Sequence, residues 1–88
     1  MLFIKEERHR LKIYRYRGKC NVSGANIRKI REQAGLSQEQ LAAKMQLMGV
    51  PMVQKAISRI ETGERVVADY ELMLIAQIFG VDVKDLLD

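Results

Sequence analysis

From Gly24 onward, apolar positions recur at helical spacing, and each run is closed by a residue that cannot easily continue it. Ile27, Ile30 and Ala34 fall at i, i+3 and i+7, which predicts a first amphipathic helix with these three on its inner face and Gly35 as its left-handed stop. Ser37-Gln38-Glu39-Gln40 has the order of a capping box, in which the Ser37 hydroxyl accepts from the Gln40 N–H and the Gln40 side chain reaches back. A second helix follows, with Leu41, Ala42, Met45 and Met48 inward. It breaks at Gly49-Val50-Pro51, because proline has no N–H to give and clashes with the preceding turn. Val53, Ala56, Ile57 and Ile60 predict a third helix, stopped at Gly63. Asp69 is the expected cap of a fourth, with Leu72, Ile75, Ala76 and Phe79 inward and Gly80 at its end; Asp82 opens a last turn through Val83, Leu86 and Leu87. Five short helices with tight links make residues 24–88 a compact all-α domain, near the lower size for independent folding.

Residues 1–23 are patterned differently and read as an N-terminal arm. Leu11-Lys12-Ile13-Tyr14-Arg15-Tyr16-Arg17 partly alternates, with β-branched and aromatic residues suited to a short strand, and Gly18, Asn21, Ser23 and Gly24 punctuate a loop. Charge separates this arm from the body. Residues 1–20 hold seven Lys/Arg against two acids, +5, whereas residues 21–88 hold eight against nine, −1. The formal net charge of +4 thus belongs to a basic arm on a nearly neutral body.

Composition removes several functional classes. With one Cys (Cys20) and one His (His9) the chain has too few ligands for a zinc site and no internal disulfide, and no apolar run approaches the about 18 residues of a membrane span. The start, Met-Leu-Phe-Ile-Lys-Glu-Glu, is not patterned as a secretory signal, so a cytoplasmic protein is expected. Cys20 has no base near it in sequence and no carboxylate pair is framed for acid–base work. An enzyme is not expected, and neither is a cofactor.

The informative stretch is Gly35-Leu36-Ser37-Gln38-Glu39-Gln40-Leu41-Ala42-Ala43-Lys44, followed by Ala56-Ile57-Ser58-Arg59-Ile60-Glu61-Thr62-Gly63. Farther on stand Tyr70-Glu71-Leu72, Ile75-Ala76, Phe79-Gly80-Val81 and Asp85-Leu86-Leu87. In these motifs, from Asn26 to Leu87, the sequence resembles the phage-repressor or Xre-type helix-turn-helix family. The third helix supports the likeness on its own chemistry. Opposite its apolar face it carries Gln54, Lys55, Ser58, Arg59 and Thr62, donors and acceptors with the reach of base edges and with no acid among them. Such a face taken alone is an ordinary solvated surface; the surrounding pattern gives it meaning.

The resemblance implies a repressor-like five-helix fold that binds double-stranded DNA with the third helix in the major groove. It implies base reading by Gln54, Lys55, Ser58 and Arg59, and a phosphate contact from Gln38 in the first turn of the second helix, where free N–H groups also favour an anion. Arg65 is a further phosphate candidate. Arg31 and Glu61 match a structural ion pair that locks the third helix to the scaffold. The expected function is sequence-specific regulation of transcription, as a repressor in a bacterium or phage, by a homodimer on a palindromic site with half-sites about 34 Å apart. The alternative is an antitoxin or adaptor whose main task is to hold a protein partner, through the arm or through Leu86 and Leu87.

The chain departs from the family between Leu41 and Ile57, which lie sixteen positions apart, several more than usual. A longer second helix and a longer connection to the third are expected around Gln46-Leu47-Met48 and Val50-Pro51-Met52. Val53 also stands where a Ser or Thr cap is common. The arm has three readings: it lies along DNA, it adds a strand to a partner, or it is a disordered extension.

Overall fold

The computed structural model describes residues 15–88. His9 and the alternating residues Leu11, Ile13 and Tyr14 lie outside this span. Within it are five helices: α1 (Gly24–Gln33), α2 (Gln38–Leu47), α3 (Gln54–Glu61), α4 (Asp69–Phe79) and α5 (Val83–Leu87). The all-α expectation holds. Ile27, Leu41, Met45, Ile57, Ile60, Ile75 and Leu86 are fully buried and bring all five helices to one core.

Local chemistry sets the helix ends. The capping box on α2 is complete: Ser37 Oγ accepts from Gln40 N at 3.0 Å, and Gln40 Oε1 accepts from Ser37 N at 2.8 Å. At the end of α1 the chain turns at Gly35 (φ +73°), and Leu36 N returns to Arg31 O at 3.1 Å, taking up a carbonyl that no helical N–H reaches. Val53 precedes α3 without a side-chain cap, as its aliphatic chain requires.

Several inner positions differ from those predicted. On α1, Ala34 caps the helix end and is exposed, while Arg31 is buried on that side because Glu61 faces it. Met48 lies beyond the end of α2 and is 40% exposed. The core instead takes Val50 and Met52 from the connection between α2 and α3, which folds inward and is pinned by Gln46 Nε2 donating to Met52 O at 2.8 Å. Val53 is 57% exposed. Asp69 is the first residue of α4 rather than its cap; Ala68 holds the cap position, and Glu71 Oε1 accepts from Ala68 N at 3.0 Å.

Ahead of α1, residues 15–23 pack on the helical unit. Tyr16 and Lys19 form an antiparallel bridge around Arg17-Gly18, Cys20 N donates to Gly63 O at 2.8 Å, and Asn21 Oδ1 accepts from Gly24 N at 2.8 Å. Among the described residues, no helix is long and apolar enough to cross a membrane.

Candidate nucleic-acid interface

α3 is amphipathic in the way its sequence demands. Ile57 and Ile60 are fully buried and Ala56 is half-buried, so the helix is seated against α1 and α2 by one narrow face. The other face turns Gln54, Lys55, Arg59 and Thr62 to the outside, with Ser58 half-buried between them. The Lys55 and Arg59 side chains have no hydrogen bond or ion pair among the described residues. Their charges face solvent.

A chain of polar side chains fixes this helix. Arg31 on α1 donates from Nε to Glu61 Oε2 at 2.7 Å and from Nη2 to Glu61 Oε1 at 3.0 Å, and its Nη1 donates to Leu36 O at 2.7 Å. The Glu61 carboxylate also accepts from Gln38 Nε2 at 2.9 Å, and Gln38 Oε1 accepts from Gln54 Nε2 at 2.6 Å. The direction of the chain follows from charge. An ionised carboxylate only accepts, so Gln38 must point its amide nitrogen at Glu61 and its oxygen at Gln54. Gln54 is oriented in turn, with its nitrogen toward Gln38 and its own Oε1 and remaining N–H left for a ligand. The hydrogen bond to Glu61 raises the Arg31 pKa, outweighing the burial that opposes it.

Gln38 therefore joins α2 to α3 at the edge of the exposed face. In the first turn of α2 the Gln40 N–H is taken by the Ser37 cap, and helix geometry leaves the Gln38 and Glu39 N–H groups without intrahelical partners. Glu39 is the acid of that turn and is exposed.

Arg65 is paired with an acid of α4. Its Nη1 and Nη2 donate to Glu71 Oε1 and Oε2 at 2.9 and 3.0 Å, and Nη1 also reaches Val66 O at 3.0 Å. The Glu71 residue is 4% exposed. This fork joins the α3–α4 connection to α4 and engages three of the five guanidinium N–H groups. The hydrogen bonds to Arg65 hold the Glu71 carboxyl below the usual carboxylate range, against burial, with the Ala68 N–H acting in the same direction.

Two further positioning residues carried little sequence signal. Glu71 stands three residues after the cap position, where an acid takes the cap N–H, but its pairing with Arg65 is not written in any spacing. Asn21 donates from Nδ2 to Ile60 O at 3.0 Å and to Arg65 O at 2.7 Å, clasping the end of α3. Among the described residues no three His, Cys, Asp or Glu side chains are grouped to hold a metal ion, and Cys20 is a half-buried free thiol.

A family model described as Helix-turn-helix matches residues 27–86. No curated protein matches the chain. Among solved structures it is similar to the DNA-binding domain of BldD, with 33% identity and a TM-score of 0.64, over 76% of this chain and 90% of that one. With its α2–α3 pair seated on this scaffold and the family model spanning most of its length, the chain belongs to the Xre-type helix-turn-helix family.

Proposed function

We propose that the protein is a sequence-specific double-stranded DNA-binding regulator of transcription, with α3 in the major groove. The observation that carries this reading is the α3 face itself: two exposed cations without a partner among the described residues, Lys55 and Arg59, beside a Gln54 amide whose direction is fixed through Gln38 and Glu61. Lys and Arg match guanine O6 and N7, an oriented Gln amide matches adenine N6 and N7, and the Ser58 hydroxyl accepts or donates. Gln38, with the N–H groups that open α2, anchors a phosphate and sets the register of α3 in the groove. The similar DNA-binding domain of BldD supports the assignment.

In this reading the protein acts as a homodimeric repressor in the cytoplasm of a bacterium or phage-infected cell, without catalytic activity. Arg31 and Glu61 are structural, and the Arg65–Glu71 fork is structural rather than a phosphate contact. Two copies on one duplex place their α3 helices about one helical turn, or about 34 Å, apart. Selection of bound duplexes from a random pool by the full chain tests this. The expected product is an inverted repeat with that half-site spacing; a pool that acquires no common sequence contradicts it.

A further inference from the structure

We propose that the turn Tyr16-Arg17-Gly18-Lys19, with Arg15 before it, is a second DNA contact that grips backbone phosphates beyond the end of α3 without reading sequence. It rests on the DNA reading above and adds a surface outside the Helix-turn-helix match, which begins at residue 27.

The turn is built rather than trailing. Tyr16 N donates to Lys19 O at 2.7 Å and Lys19 N to Tyr16 O at 3.1 Å, around two residues of positive φ, Arg17 at +54° and Gly18 at +80°. Both central residues in that region give a reverse turn whose twist suits a hairpin. The turn is then tied to the carbonyls at the end of α3. Lys19 Nζ donates to Thr62 O at 3.2 Å and Cys20 N to Gly63 O, and Asn21 Nδ2 binds Ile60 O and Arg65 O. Of these, the Ile60 and Thr62 carbonyls lie at the negative end of the helix, which attracts a cation. Gly63 (φ +82°) leaves room for the Lys19 stem, which a Cβ there would overlap.

This tether puts the Lys19 cation at the end of the reading face, with Arg15 and Arg17 on the same turn. Thr62 continues the stripe of Lys55, Ser58 and Arg59, so the Lys19 ammonium stands where that stripe ends. Arg15, Arg17 and Lys19 are all exposed, and no carboxylate pairs with them among the described residues. The Arg17 guanidinium lies 5.2 Å from the Tyr16 ring centre, and Arg15 Nη1 donates to Gly18 O at 3.3 Å. Of the neighbouring acids, Glu61 is occupied by Arg31 and Gln38, and exposed Glu64 opposes the three cations with a single charge. Cations held on a fixed turn lose less freedom on meeting phosphate than the same charges on a free tail.

The test measures the affinity of the full chain for its selected duplex as salt rises. Changing Arg15, Arg17 and Lys19 together to Gln is expected to weaken binding at least about tenfold near 0.1 M salt and to flatten the slope of log K against log salt by about two to three. The ranking of duplex sequences should stay the same. Arg17→Gln alone removes no hydrogen bond among the described residues and should flatten the slope by about one, which separates lost charge from lost structure. Unchanged affinity and slope in the triple variant, with wild-type binding intact, overturns the hairpin contact and leaves the role of α3 standing. An altered ranking of sequences also overturns it, since the turn then reads bases. A wild-type chain that prefers no duplex removes both readings.

Discussion

Arg31 and Glu61 meet through two hydrogen bonds, 2.7 and 3.0 Å long, with their side chains only 10% and 2% exposed. Removing one partner strands a buried charge, whereas removing both does not. Arg31→Ala or Glu61→Ala is expected to cost about 3–5 kcal/mol of folding stability, and Arg31→Met combined with Glu61→Leu much less than the sum of the two losses. Urea denaturation of the single and double variants measures the difference.

Gln38 passes the orientation of Glu61 on to Gln54, so the two glutamines should fail differently. Gln38→Ala is expected to weaken binding to all duplexes by about 1–2 kcal/mol, through loss of the proposed phosphate contact, and also to relax the preference set by Gln54, whose orienting amide it removes. Gln54→Ala should only relax preference at one base pair, at a cost of about 1–3 kcal/mol for the preferred base. Titration against duplexes altered one base pair at a time separates the two patterns.

How far the sequence discloses the molecule depends on what each residue faces. Gly35, Gly63 and the Ser37 box act within a few residues of themselves, so the helix limits are legible from them. Ile27, Ile57 and Ile75 are legible as core because a helical repeat of apolar residues has one dry side. Arg31 is buried where periodicity alone favours Ala34, because its charge is met by Glu61 thirty residues later. Val50 and Met52 enter the core from a segment whose proline marks it as a break, and a break in helix is not an exit to solvent. The polar outer face of α3 is legible through the family motif. Its link to Gln38, and the clasp of Asn21 on Ile60 and Arg65, depend on contacts across distant parts of the chain.

Glu71 makes part of the stability pH-dependent. Its carboxyl titrates below its ordinary range in the folded chain because Arg65 donates to the ionised form. The folded value lies below the unfolded one, so the stabilisation is complete above the unfolded value of about 4.3 and is lost as pH falls through the folded value. Glu71→Gln should therefore melt earlier than wild type at neutral pH, with the gap closing as pH drops below about 4. Thermal unfolding across that range checks the sign.

Gly24 lets the start of α1 approach the end of α3. A Cβ there would overlap Ile60 O, a backbone atom, and would lie 2.9 Å from Asn21 Oδ1. Neither the α3 backbone nor the Asn21 clasp can yield freely. Gly24→Ala is expected to destabilise by about 1–3 kcal/mol despite its higher helix propensity, as read from the denaturation midpoint.

The central claim is that the outer face of α3 reads sequence. Its most direct measurement is the affinity of wild type, Lys55→Ala and Arg59→Ala for the selected duplex and for a scrambled duplex of the same length. Each variant is predicted to lose about 1–3 kcal/mol on the selected duplex and much less on the scrambled one, so that discrimination shrinks. Equal losses on both duplexes, or none on either, would contradict the account.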